Sequence, residues 1–206
     1  MSACQKLLTG LLIVISTLMC LQSLDGQTVE NGYGIIRGPG FAFSLKSPDG
    51  WVIDSKSGVG QGLPAVFYPK GGSWEKSPVV AYARSRPRTQ KVLSIEDAVK
   101  FLTETFHNEG FNKYQGEYVK TIRTDAGKDA VIYHFSGDKW GDYEATAYFL
   151  EGKTIDFVTL SARNEKDFRD SLPAFEKLAT SYTFLPEKIP VNPDKRGFFQ
   201  DGLPKD

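Results

Sequence analysis

The stretch GEYVKTIRTDAGKDAVIYHFSGDKWGDYEATAYFLEGKTIDFVTLSA, residues 116–162, decides the fold. It contains four segments rich in Tyr, Val, Ile, Thr and Phe, the residue types favoured in β-strands. These segments are 116–123, 130–135, 143–150 and 154–162. The connectors between them are short and contain Gly and Asp, which are typical of turns. Because parallel neighbours need a crossover of about a dozen residues, the stretch predicts an antiparallel meander.

The fourth segment also predicts how the sheet is covered. Ile155 and Phe157 point to one face of the strand, whereas Val158 and Leu160 point to the other. A strand that is apolar on both sides is covered on both faces. The sequence therefore predicts an α+β fold in which helices or loops cover both faces of an antiparallel sheet.

Upstream of the meander, the sequence predicts further strands and one helix. Extended segments lie at 41–45, 51–53, 65–68 and 79–84, separated by loops rich in Gly and Pro. Ser94 and Asp97 have the spacing of a capping box, which marks the start of a helix, and Gly110 marks its end. The helix has an apolar stripe formed by Ile95, Ala98, Val99, Leu102 and Phe106.

A second helical region, 165–182, follows the meander and contains Pro173. Proline has no amide hydrogen to donate and clashes with the preceding turn of a helix. We therefore expect two helical pieces here, with Pro173 near the start of the second.

The first 26 residues have the layout of a secretory signal peptide. Lys6 precedes an apolar segment, 7–21, and the small residues Ser23 and Gly26 are the candidate cleavage positions. The apolar segment is shorter than the ~20 residues that a membrane-spanning helix needs. The chain then divides into a signal peptide (1–26), a flexible lead (27–40), a folded domain (41–185) and a Pro-rich tail (186–206). The predicted localisation is secreted or periplasmic.

Both cysteines, Cys4 and Cys20, lie within the predicted signal peptide. Cleavage would leave a domain without a disulfide, a thiolate nucleophile or a cysteine-based metal site. A lipid anchor on Cys20 is the alternative, but Thr17 and Met19 replace the Leu and the small residue of a bacterial lipobox. The chain would contact a membrane only if Cys20 were lipidated.

The charges exclude a general affinity for nucleic acid, because 25 Lys and Arg residues balance 25 Asp and Glu residues. The one local concentration of positive charge contains Arg84, Arg86 and Arg88. Two interpretations are open: a solvated strand end, or a surface for an anion or an acidic partner.

Several short motifs resemble one family. They are SPDGW (47–51), FYP (67–69), SIED (94–97) and the aromatic-rich run at 161–184. In order and spacing they resemble the PsbP/Mog-like superfamily, and the resemblance covers residues 41–185. It implies an α+β fold in which the antiparallel sheet is sandwiched between helices, an α/β/α arrangement. It also implies a role in binding or assembly, because most members of that superfamily are binding modules.

The sequence offers few groups for catalysis. His107 and His134 are the only histidines, and a Ser-x-Gly elbow and an H-E-x-x-H motif are both missing. Asp138, Asp142 and Glu144 could hold a divalent cation, but their spacing lacks the regular ladder of calcium loops and favours a solvated turn. No catalytic residue, cofactor or metal site is predicted.

Exposed Trp and Arg residues are the best candidates for a partner or ligand surface. Trp51, Trp74 and Trp140 flank Gly-containing turns, where a Trp either covers the core or contacts a partner. The predicted surface consists of Arg84, Arg86, Arg88, Trp74, Trp140 and Arg163. The predicted function is a secreted, non-enzymatic binding or assembly module of the cell envelope, with an unknown protein or small ligand as partner. The alternatives are an enzyme with a groove active site and a lipid-anchored structural protein, and the oligomeric state is open.

Overall fold

Alternating apolar residues and Gly-containing turns give the chain a β-rich fold. The computed structural model describes residues 28–30, 32–38 and 41–186, and the first of these ranges by its backbone alone. The strands in these ranges are β1 (Thr28–Glu30), β2 (Tyr33–Gly38), β3 (Phe41–Lys46), β4 (Trp51–Asp54), β5 (Ala65–Pro69), β6 (Val79–Pro87), β7 (Gln115–Arg123), β8 (Asp129–Ser136), β9 (Tyr143–Leu150), β10 (Thr154–Ala162) and β11 (Thr183–Phe184). The α-helices in these ranges are α1 (Ile95–Asn108) and α2 (Glu165–Thr180).

Eight of these strands form one large antiparallel sheet in the order β1-β4-β5-β6-β10-β9-β8-β7. The meander predicted from residues 116–162 forms one half of it, because β7, β8, β9 and β10 are consecutive neighbours. Strand β10 pairs with β6 on its other side, so it lies in the middle of the sheet. Its central position explains why its sequence is apolar on both faces.

The two faces of the large sheet are covered by different elements. On one face, here called the α1 face, Tyr148 and Ile155 pack against Ile95, Ala98 and Val99 of α1. The opposite face, here called the α2 face, packs against α2 and against a second sheet of order β11-β3-β2. The core on the α2 face includes Phe43, Phe67, Phe149, Leu160, Phe175 and Tyr182. An antiparallel sheet between helices is the predicted α+β architecture, and the structure confirms it.

Helix α1 begins as the sequence predicts. The Ser94 side chain accepts a hydrogen bond from the Asp97 amide at 3.1 Å, and the Asp97 carboxylate accepts one from the Ser94 amide at 3.0 Å. This is a complete capping box. The helix ends before Gly110, whose φ of 93° is in the left-handed region.

Helix α2 differs from its prediction. It is one continuous helix from Glu165 to Thr180 with Pro173 inside it, rather than two helical pieces. Pro173 lies on the exposed side, whereas Phe168, Phe175 and Leu178 are buried against the sheet on both sides of it. Burial of this continuous apolar stripe offsets the missing hydrogen bond of the proline.

The predicted flexible lead, 27–40, also differs, because it contains β1 and β2. Ile36 in β2 is completely buried in the core on the α2 face. The predicted signal peptide and all of the predicted tail except Pro186 lie outside the described residues. Neither of the described α-helices is long and apolar enough to span a membrane.

Candidate functional site

The arginines of β6 lie on the α1 face of the large sheet. Ala81 and Ala83 point into the core on the α2 face, so the alternate residues Arg84 and Arg86 point to the opposite face. Phe157 of β10 lies directly opposite Arg84 in the sheet. The register of two adjacent strands therefore brings two guanidinium groups and an aromatic ring together.

Both guanidinium groups lie over aromatic rings. The Arg86 Cζ atom is 4.7 Å from the ring centroid of Phe101 in α1, and the Arg84 Cζ atom is 5.8 Å from that of Tyr82. Phe101 is 46% exposed, so this aromatic side chain is accessible. We call Arg84, Arg86, Phe101 and Phe157 the arginine surface.

The positive charge of the arginine surface is not neutralised locally. The Arg84 Nη2 atom donates a hydrogen bond to the carbonyl oxygen of Gln61 at 3.1 Å. Neither Arg84 nor Arg86 forms an ion pair with a carboxylate of residues 41–186. Partial burial lowers the pKa of Arg86, but an arginine side chain still keeps its charge. The surface therefore presents two cationic groups to an incoming anion.

Arg88 is bound to the protein's own backbone. Its Nε atom donates to the carbonyl oxygen of Leu93 at 3.0 Å, and its Nη1 atom donates to those of Glu151 and Gly152, each at 3.1 Å. These bonds join the segment before α1 to the turn between β9 and β10. Arg88 thus has a structural function that sequence reasoning did not assign to it.

Of the other predicted surface residues, Arg163 and Trp140 lie towards the opposite end of the β6–β10 pair, whereas Trp74 packs against Tyr82, the ring that lies under Arg84. Arg163 follows Ala162, which pairs with Val79 at the start of β6. Trp74 is 9% exposed and packs edge-on against Tyr82, with ring centroids 6.3 Å apart. Trp140 is 37% exposed, and the Lys139 Nζ atom lies 4.3 Å above its ring. The structure therefore brings together Arg84 and Arg86, with Trp74 against the same Tyr82 ring as Arg84, but not the whole predicted set.

A cluster of acidic residues, Asp138, Asp142 and Glu144, lies at the turn between β8 and β9. The Asp138 Oδ1 atom accepts hydrogen bonds from the amides of Trp140, Gly141 and Asp142 at 2.7–3.1 Å, which fixes the turn between β8 and β9. Burial, together with the charges of Asp138 and Asp142, raises the pKa of Glu144 to about 8, and a hydrogen bond with Tyr114 partly opposes this. Among the described residues, no group of three or more His, Cys, Asp or Glu side chains could hold a metal ion.

The two histidines do not converge. The His107 Nε2 atom lies 2.8 Å from the carbonyl oxygen of Tyr114, near the end of α1. His134 lies on the α2 face, edge-on to Phe168 with ring centroids 5.1 Å apart, and burial lowers its pKa. The large sheet separates them, so they cannot act on one substrate.

A buried polar network on the α2 face was missed by sequence reasoning. It consists of Ser85, Lys128, Glu151, Asp156 and Tyr182. Asp156 is completely buried at the third position of β10. A carboxyl group inside a strand that is apolar on both faces needs hydrogen-bond partners, and this was the signal available in the sequence.

No protein-family model matches the chain, and no curated protein matches it. Among solved structures, the chain is similar to the solution structure of cyanobacterial PsbP (CyanoP) from Synechocystis sp. PCC 6803. The TM-score is 0.49 and the identity 14%, over 75% of this chain and 94% of that chain. It is also similar to the crystal structure of the Saccharomyces cerevisiae Ran-binding protein Mog1p, with a TM-score of 0.39 and 10% identity, over 78% of this chain and 96% of that chain. This is a likeness of fold, and no activity or partner is taken from it.

Proposed function

We propose that this chain is an exported, non-enzymatic binding or assembly module of the cell envelope that recognises acidic side chains of a protein partner. The observation that carries the proposal is the arginine surface, in which Arg84 and Arg86 lie over aromatic rings without a carboxylate partner from residues 41–186. A carboxylate of another molecule could form the ion pairs with Arg84 and Arg86 that residues 41–186 do not supply.

The chemistry of the arginine surface favours a protein as that molecule. A guanidinium group that lies over a ring keeps its N–H donors directed outward, where they can bind a carboxylate in bidentate fashion. Arg and aromatic residues are also enriched at the energetic centres of protein interfaces.

Export is the second component of the proposal. It rests on the residue pattern of the segment 1–26, in which Lys6 precedes an apolar run and small residues. Mass spectrometry of the mature N-terminus tests it. We expect a first residue near Leu24 or Gln27, whereas a lipidated N-terminus at Cys20 would support the lipid-anchored alternative.

The binding role is tested by affinity capture from the protein's own cell envelope with three baits. These are the unsubstituted protein, the double variant Arg84→Ala/Arg86→Ala, and the control Arg169→Ala, which removes an exposed arginine on α2. We expect a partner that the first and third baits recover and the double variant loses, with recovery that falls as salt increases. Equal recovery by all three baits, or no partner above background, would contradict the proposal.

A further inference from the structure

Tyr182 connects the end of α2 to the two sheets. Its ring is completely buried and stacks on Phe149 of the large sheet, with centroids 3.8 Å apart and planes at 6°. On its other side lies Phe43 of the small sheet, at a centroid distance of 5.3 Å. The next two residues form β11, which pairs with β3. Tyr182 is therefore the point at which β11 is attached to the large sheet.

The hydroxyl group of Tyr182 lies between two carboxyl groups. It is 2.8 Å from Asp156 Oδ2 and 3.1 Å from Glu151 Oε1. A tyrosine hydroxyl has one proton and can donate it to one acceptor at a time. If both carboxyl groups were ionised, one of these two contacts would have no proton between its oxygen atoms.

The surroundings indicate which carboxyl group has the additional proton. Glu151 forms an ion pair with Lys128, with 3.2 Å between Oε2 and Nζ. Asp156 has no cationic partner among residues 41–186, and its other oxygen accepts a hydrogen bond from Ser85 at 2.5 Å. A protonated Asp156 satisfies every contact, because it donates to Tyr182, and Tyr182 then donates to Glu151.

The directions in which the pKa values are shifted agree with an additional proton on Asp156. Burial raises the pKa of Asp156, and the charge of Glu151 raises it further, while hydrogen bonds with Ser85, Tyr182 and Thr154 act in the opposite direction. Burial and the adjacent Asp156 raise the pKa of Tyr182, so its hydroxyl group stays protonated. Arg88 is a further charged group near the network, and it binds the carbonyl oxygens of Glu151 and Gly152 rather than Asp156.

We propose that Asp156 keeps its proton in the folded protein at neutral pH, and that this proton fastens Tyr182 and β11 to the large sheet. Loss of the proton at higher pH leaves two adjacent carboxylates with one tyrosine proton between them. Their repulsion then favours detachment of the segment 182–185. The backbone bonds that would open include the one from the Leu185 amide to the carbonyl oxygen of Ala42, 2.9 Å long. This pH-sensitive clasp is independent of the proposed binding function.

Infrared spectroscopy of the complete protein tests the protonation state directly. At neutral pH we expect a carbonyl band of a buried carboxylic acid that disappears in Asp156→Asn. The band should persist in the control Asp125→Asn, which changes an exposed carboxylate near the same end of the molecule. Because burial also raises the pKa of Glu144, the measurement is made in a Glu144→Gln background, which removes any acid band of that residue. No band that depends on Asp156 at neutral pH would overturn the proposal.

Hydrogen exchange tests the clasp itself. In the unsubstituted protein, we expect protection of the Leu185 amide to fall by roughly tenfold per pH unit between the ordinary pKa of Asp156, which applies to the detached segment, and its raised pKa in the closed state. Protection should level off once the Asp156 band is lost. Asp156→Asn, which keeps a donor to Tyr182 at every pH, should retain protection across the same range. Protection that falls equally in both proteins, or that does not change in the unsubstituted protein between low pH and the pH at which the band is lost, would contradict the clasp.

Discussion

Glu144 and Asp156 are carboxyl groups on adjacent strands that point to opposite faces of the large sheet. Burial raises the pKa of both groups, but the neighbouring charges differ. Glu144 lies near Asp138 and Asp142, in a turn fixed by backbone hydrogen bonds, whereas Asp156 is surrounded by hydroxyl groups and one paired carboxylate. Ionisation of Glu144 therefore affects the β8–β9 turn, and ionisation of Asp156 affects the attachment of β11.

The raised pKa of Glu144 can be tested by titrating this single residue. Carbon-13 NMR of its carboxyl group should show a titration midpoint near 8, the value to which burial and two negative charges raise it. Asp142→Asn removes one of those charges and should lower the midpoint. Glu117, which is exposed, is the internal control. A Glu144 midpoint that Asp142→Asn leaves unchanged would show that its neighbour does not act on it.

The raised pKa of Glu144 also makes the stability of the protein dependent on pH. Because the folded-state pKa of Glu144 is above its ordinary value of 4.5, the folded state binds the proton more tightly. This contribution is complete below pH 4.5 and is lost as the pH rises through about 8. A tenfold difference in proton affinity between the folded and unfolded states corresponds to about 1.4 kcal/mol. In urea unfolding between pH 5 and 9, Glu144→Gln should therefore lose less stability than the unsubstituted protein, by up to a few kcal/mol.

Helix α1 owes its start to two side chains, and their contribution can be measured. Ser94→Ala removes the acceptor for the Asp97 amide and should lower the free energy of unfolding by about 1 kcal/mol. Thr103→Ala, in the middle of the same helix, is the comparison and should change stability by less than about 0.5 kcal/mol. Equal effects of the two substitutions would mean that the cap does not stabilise α1.

In helix α2, by contrast, we expect one substitution to increase the stability of the protein. Pro173→Ala supplies an amide that can donate to the carbonyl oxygen of Arg169, and it removes a ring from the interior of the helix. We expect a gain of about 2 kcal/mol, less than the full helix penalty of proline because the unfolded chain gains freedom. Lys177→Ala, at another exposed position of α2, is the control in the same urea titration. A loss of stability in Pro173→Ala would contradict this explanation.

These elements also show what the sequence could predict and what it could not. The capping box of α1 and the four strands of the meander depend on neighbours within a few residues, so their patterns are complete in the local sequence. The continuity of α2 through Pro173 depends on the sheet beneath it. Strand β2 depends on its pairing with β3 and on the burial of Ile36 in the core. Local patterns carry little information about such contacts.

The candidate site was predictable to a similar extent. Arg84 and Arg86 were identified as part of a local concentration of positive charge, and the strand period places both on one face. The position of Phe101 under Arg86 could not be predicted, because it depends on how α1 lies across the sheet. The structural function of Arg88 depends on carbonyl groups some 60 residues away, at Glu151 and Gly152. The network around Tyr182 likewise joins strands, turns and the end of a helix.

At the scale of the whole molecule, the core on the α2 face joins two sheets and a helix, so its aromatic residues should dominate stability. Phe175 is 1% exposed in that core, and Phe175→Ala should lower the free energy of unfolding by about 3–5 kcal/mol. Phe101→Ala removes the same type of side chain from an exposed position and should lower the free energy of unfolding far less. Chemical denaturation that shows similar losses for both would contradict the assignment of the core.

The pairing of both β2 and β11 with β3 determines which side of the protein can be attached to a solid support. Residues 33–38 and 183–184 flank one strand of the small sheet, and that sheet lies on the α2 face. A solid support or a fusion partner attached at position 186 would therefore be attached on the side of the α2 face. The arginine surface, on the α1 face, would then be oriented away from the support, and an immobilised sample would present Arg84 and Arg86 to the solution.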